Sequence, residues 1–291
     1  MNNIALTLIA SLTFGASGCV TAERGVIQGA DGPYLNQSPP GKIPEAFAPG
    51  MVSTEKFEYG GVFSPDMNEF YVIREVESEA GESRQEFVVF ELEDNRWKDT
   101  VISPRIGQPF VSPDGTTMHL GKRYKTRTEG DWSEIEELGT PFDDYRIMRL
   151  TASSNGTYYF DEVGTDGDGK IRYSEVINGE RTEPRLASES INSGTWLAHP
   201  FIAPDESYIL WDGRKEGGYG SSDIYVSFRQ QDGEWGSAIN LGNAVNTDAW
   251  EASASVTPDG EYLFFHRNVD GENVDIFWVD AEILEDLRPD Q

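Results

Sequence analysis

One short motif returns along this chain and restricts the folds open to it: a Pro-Asp turn followed by an aromatic strand. It occurs at Phe63-Ser64-Pro65-Asp66 before Phe70-Tyr71-Val72-Ile73, and at Val111-Ser112-Pro113-Asp114-Gly115 before Met118-His119-Leu120. It recurs at Ile202-Ala203-Pro204-Asp205 before Tyr208-Ile209-Leu210-Trp211, and at Val256-Thr257-Pro258-Asp259-Gly260 before Tyr262-Leu263-Phe264-Phe265. A degenerate copy, Ser153-Ser154-Asn155-Gly156, precedes Tyr158-Tyr159-Phe160. Counted from Pro65, successive copies lie 48, 41, 50 and 54 residues apart. Proline presets φ for a turn and Gly or Asn tolerates the left-handed position, so each copy joins two strands as a hairpin.

Third strands follow at Glu86–Phe90, Ile171–Tyr173, Asp223–Val226 and Asp275–Val279, and fourth strands are marked by Trp97, Trp132 or Trp235. Four short antiparallel strands per repeat of about 45 residues describe one blade of a β-propeller. A β-sandwich would explain the strands but not their regular recurrence. The expectation is therefore an all-β propeller of five four-stranded blades, or six if Val26–Phe47 holds a further unit. Only 33 residues follow Pro258, too few to finish the last blade. Thr54 lies 11 residues before Pro65, and Thr247 lies 11 before Pro258; Glu58 and Glu251 share an offset of 7. Phe47–Thr54 thus reads as the outer strand and connector of the C-terminal blade, closing the ring and leaving no open sheet edge.

The stretch from Trp211-Asp212-Gly213-Arg214 through Gly217-Gly218-Tyr219-Gly220-Ser221-Ser222-Asp223-Ile224-Tyr225-Val226 to Trp235, Asn240-Leu241-Gly242 and Val245-Asn246-Thr247 carries a resemblance. It is similar to the WD40-like (PD40) repeats of the family that includes the periplasmic TolB propeller. The resemblance covers residues 45–280 and implies a fold. It does not imply an activity, because such propellers serve as binding scaffolds, enzyme domains and assembly hubs.

Ahead of the repeats, Ile4–Phe14 is an apolar run suited to a secretory signal, and Ala16-Ser17-Gly18-Cys19 resembles a bacterial lipobox. The reading is a signal peptide over 1–18, a lipidated Cys19 with a tether over 19–44, and a single propeller over 45–291. By the family rule, Val20 directs such a lipoprotein to the outer membrane, facing the periplasm; a soluble secreted or periplasmic protein is the alternative. With one cysteine no intrachain disulfide is possible, so the fold stands on packing alone.

The chain has 23 Lys plus Arg against 51 Asp plus Glu, a formal charge of −28. Nucleic acid is excluded as a bulk partner, because phosphate binding needs a cationic surface. Second strands end in cations at Arg74, Lys122 with Arg123, Arg214 and Arg267, while Glu58, Trp196, His199, Trp250 and Glu251 lie near first-strand starts. Propeller topology gathers these on one face. They are the candidate ligand-binding residues for an acidic or sugar-like ligand, with guanidinium forks on carboxylate and indole faces on sugar rings. The competing view is a set of ordinary surface ion pairs.

Asp166, Asp168 and Glu175 match parts of a calcium loop, but Gly164 replaces the first ligand and the flanks read as strands, so a Gly/Asp-rich turn is favoured. No other cofactor is expected. The three histidines, His119, His199 and His266, come from three blades, which argues against a shared metal site. No Gly-x-Ser-x-Gly elbow, P-loop or dinucleotide fingerprint occurs. The favoured function is a monomeric, envelope-anchored scaffold that binds a protein or oligosaccharide. The alternative is a carbohydrate-active enzyme, a hydrolase or a lyase for uronic-acid oligosaccharides.

Overall fold

The computed structural model describes residues 24–77 and 81–289, and in it the five turn motifs head five antiparallel sheets. Blade one comprises Glu58–Phe63, Glu69–Glu77, Ser83–Glu93 and Arg96–Pro104. Blade two comprises Pro109–Val111, Thr117–Leu120 and Arg123–Thr128, with Glu136–Glu137 and Asp131–Trp132 both paired to the third strand. Blade three runs through Ile147–Ala152, Tyr158–Glu162, Lys170–Ser174 and Arg185–Leu186. Blade four runs through Thr195–Ile202, Tyr208–Arg214, Asp223–Phe228 and Ile239–Asn240. Blade five has Glu251–Val256, Tyr262–Asn268 and Val274–Asp280. Each first strand packs against the next, and that of blade five returns to blade one, so the sheets form a five-bladed propeller.

Glu45–Ala46 supplies the fourth strand of blade five, pairing with Trp278 and Phe277. The closure expected from the shared Thr and Glu offsets is present, with its strand two residues earlier than the sequence pattern placed it. Phe47 then donates its N–H to the Ile276 carbonyl at 2.7 Å, and the Ser53 hydroxyl donates to the same oxygen at 2.9 Å. The Phe47 ring is fully buried, with centroids 4.8–6.1 Å from Phe63, Phe70, Phe264 and Trp278. Hydrophobic burial at this one seam therefore joins the two ends of the repeat array.

The reading of a tether needs correction from Arg24 onward. Arg24–Asp31 is a strand that pairs antiparallel with Arg96–Pro104, as a fifth strand on blade one. Gly32 follows, and its carbonyl accepts the Trp97 indole N–H at 2.7 Å. The segment is polar, yet an open blade edge offers unpaired backbone groups that it satisfies. The leader and Cys19 lie outside the described residues.

The turn motif has a side-chain logic. The Ser64 hydroxyl donates to Asp66 Oδ1 at 2.6 Å and accepts the Glu69 N–H at 3.0 Å, closing the turn from both sides. Ser112 and Asp114 repeat this in blade two, and Thr257 and Asp259 in blade five. Blade four has Ala203 at the hydroxyl position, and there Asp205 accepts the Ser207 N–H at 3.0 Å.

Candidate functional site

In every blade one residue stands four positions before the residue that opens the turn. These are Gly60, Gln108, Arg149, His199 and Ser253, before Ser64, Ser112, Ser153, Ala203 and Thr257. The first strands of blades one, four and five bulge here, with φ of +69° at Gly60, +47° at His199 and +55° at Ser253. A bulge leaves a backbone N–H outside the ladder, and in a buried position that donor must find a partner. Carboxylates of the preceding blades supply it. Asp161 Oδ2 accepts the His199 N–H at 3.0 Å, and Asp212 Oδ1 accepts the Ser253 N–H at 2.9 Å.

Both carboxylates are buried and further engaged. Asp161 Oδ1 also accepts the N–H groups of Met148 and Arg149 at 2.8 and 3.0 Å. Asp212 holds His199 Nδ1 at 2.9 Å, leaving Nε2 as the other ring nitrogen. The Ser253 hydroxyl donates to Gln108 Oε1 at 3.0 Å, and Arg149 Nη1 donates to the Ala254 carbonyl at 3.0 Å. The centre of the molecule is thus a closed polar network of two cation-capable and two anionic side chains. Burial pulls the His199 imidazole toward its neutral form, but the charge and hydrogen bond of Asp212, with Asp161, outweigh it and raise its pKa. Burial also lowers Arg149, to about 10. None of these network residues except His199 stood out in the sequence; the constant offset of four was the available signal.

The predicted ring of cations divides into different environments. Glu58 is fully buried and accepts the Thr54 N–H at 3.2 Å and hydroxyl at 2.5 Å, with Arg74 Nε at 3.6 Å. Arg74 Nη2 also donates to the Met51 carbonyl at 2.8 Å. Blade five repeats the arrangement: Glu251 accepts both donors of Thr247, and Arg267 reaches it at 2.8 Å and the Val245 carbonyl at 2.7 Å. Arg74, Glu58, Arg267 and Glu251 therefore brace the blade connectors. Arg214 is exposed and donates to the Ser221 carbonyl at 3.1 Å. Arg123 pairs with exposed Glu137 at 2.9 Å and lines a cleft between blades two and three.

Trp196 is half exposed, and its indole lies over Gly167, where a Cβ would come within 2.7 Å of Nε1. Trp250 packs edge-on to His266 at 4.8 Å. His199 and His266 approach to 6.4 Å between ring centroids, whereas His119 packs against Phe110 and Tyr158. Burial holds His266 well below the usual imidazole range and His119 at about 3. The calcium candidates are not brought together. Asp166 and Asp168 precede the strand Lys170–Ser174, and Glu175 follows it and pairs with Arg185. Among the described residues no group of three or more His, Cys, Asp or Glu is placed to hold a metal ion.

No family model and no curated protein matches the chain. Among solved structures it is similar to TolB from Acinetobacter baumannii, at 14% identity over 79% of this chain and 53% of that one, with a TM-score of 0.48. The chain thus spans about half the length of that protein. It is also similar to the catalytic domain of a GH62 α-L-arabinofuranosidase from Coprinopsis cinerea, at 10% identity over 83% and 97% of the two chains, TM-score 0.48. A thermostable family-43 glycoside hydrolase matches at 13% identity over 78% and 91%, TM-score 0.46.

Proposed function

We propose that this protein is a binding scaffold of the bacterial envelope, anchored to the outer membrane through a lipidated Cys19 and presenting its upper face to a protein or oligosaccharide partner. The upper face is the one bearing the connectors into the first strands and the turns after the second. The observation that carries this reading is the closed central network. Asp161, Asp212, Arg149 and Ser253 are buried and engaged with one another's blades, and Glu58 and Glu251 are locked to Arg74 and Arg267. Hydrolysis of a glycoside by paired carboxylates needs two acids free to face one sugar, and these four acids are committed to structure.

The test is incubation of the full chain with an oligosaccharide panel and with solubilised envelope extract, following both binding and product release. Saturable binding without new reducing ends or unsaturated products supports the scaffold; turnover replaces it with the enzyme reading. One observation favours that second reading. Asp212 fixes His199 through Nδ1, an arrangement that orients Nε2 as a base, and exposed Trp196 stands three residues away. Turnover lost in His199→Gln would assign that role.

A further inference from the structure

We infer that a cleft in the rim at blade two is a binding site for a short acidic sugar. This rests on the reading of the upper face as the binding face, and it assigns both the place and the ligand chemistry. The cleft exists because one turn is short. Between the second and third strands, blade two has only Gly121 and Lys122, whereas blade three has seven residues, 163–169, and blade four has eight, 215–222. A notch is left between taller neighbours. Its floor is backbone against backbone. A Cβ on Gly107 would run into the Leu120 carbonyl, and one on Gly121, at φ +67°, would lie 2.7 Å from the Ile147 oxygen.

The notch is an open cleft of about 740 Å³, within the size range of small-molecule sites. Four cations line it: Arg105, Lys122, Arg123 and Arg146, against two carboxylates, Glu137 and Asp143. On a chain of net charge −28 this is a local reversal of sign. Among the described residues only Arg123 of the four pairs with a carboxylate. Arg105 donates to Gln85 at 3.3 Å, and Lys122 donates to the Asp143 main-chain carbonyl at 2.9 Å. Exposed Arg146 makes no side-chain hydrogen bond among the described residues. Guanidinium and ammonium groups without counter-ions are prepared to take a ligand carboxylate.

The mixture of charges selects the ligand class. A long polyanion would have to run from the notch across acidic surface, so the charge of the ligand must be compact. Glu137 and Asp143 can accept hydrogen bonds, which a sugar offers as hydroxyls around its ring and an acidic peptide only as backbone N–H groups and a terminal ammonium. Tyr145, Ile147 and Met148 add an apolar wall for a ring face.

Calorimetric titration of the full chain with trigalacturonate, maltotriose and a Glu-Glu-Glu tripeptide tests the assignment. The expected result is one site for trigalacturonate, no binding of maltotriose, and affinity that falls with added NaCl. Arg146→Ala should weaken trigalacturonate at least tenfold with an unchanged melting temperature, and Lys122→Ala should do likewise. Arg84→Ala, at an exposed residue of the third strand of blade one and outside the notch, should leave it unchanged. Absence of trigalacturonate binding overturns the inference, while capture of another ligand on the upper face would leave the scaffold reading standing. Binding lost in Arg84→Ala but kept in Arg146→Ala overturns the location, and equal binding of the tripeptide overturns the sugar class.

Discussion

At Asp212 one carboxylate serves two blades: it holds the imidazole of His199 in its own blade and accepts the Ser253 N–H of the next. A buried charge removed from such a site leaves its partner uncompensated, at a cost of about 3–5 kcal/mol. Asp212→Asn should therefore lower the melting temperature and lower the His199 titration midpoint, the latter read by NMR of the ring Cε1–H. His119 makes the opposite case. Burial depresses it to about 3 in the folded state, so the unfolded chain binds a proton that the native chain refuses. Stability is lost as pH falls from about 6.5 toward 3, on the order of 5 kcal/mol for this group. Replacing His119 with Gln should flatten that part of the curve of melting temperature against pH; an unaltered slope would refute the assignment.

Among the elements, the seam at blade five depends on the residues around Phe47. Truncating a fully buried phenylalanine costs about 3–5 kcal/mol, here where the chain ends are joined. Phe47→Ala should lower the melting temperature by roughly 10 °C by calorimetry, since each kcal/mol moves a domain of this size by a few degrees. Substituting an exposed residue of the same segment, such as Glu45→Ala, should move it little. The sequence showed this seam because Thr54 and Glu58 repeat the spacing of Thr247 and Glu251. It did not show the added strand Arg24–Asp31, whose polar composition carries no alternating apolar pattern and whose place depends on the open edge of Arg96–Pro104.

For the whole molecule, a charge of −28 on one ring means strong self-repulsion that salt screens. Raising NaCl from about 10 to 150 mM, which shortens the Debye length from about 30 to 8 Å, should raise the melting temperature measurably. A flat response would mean that local pairing already neutralises the field. At the same scale, a lipid on Cys19 would attach the chain to the membrane five residues ahead of the strand that begins at Arg24. Cys19→Ser should release the protein from the membrane fraction, scored by fractionation and by loss of labelled palmitate.

Sequence alone determined the repeat and hence the blade count, because turn chemistry and strand alternation are local properties that each copy states for itself. It also determined the closure, through the matched positions Thr54, Glu58, Thr247 and Glu251. What it left open was the fate of the cations. Arg74 and Arg267 are locked to buried glutamates, while Lys122 and Arg146 remain without carboxylate partners among the described residues. The two locked pairs are cross-strand neighbours within one blade, Glu58 opposite Arg74 and Glu251 opposite Arg267, whereas the notch lies between blades two and three. It follows from the length of one turn and the absence of side chains at Gly107 and Gly121. Such distances are set only when the ring closes.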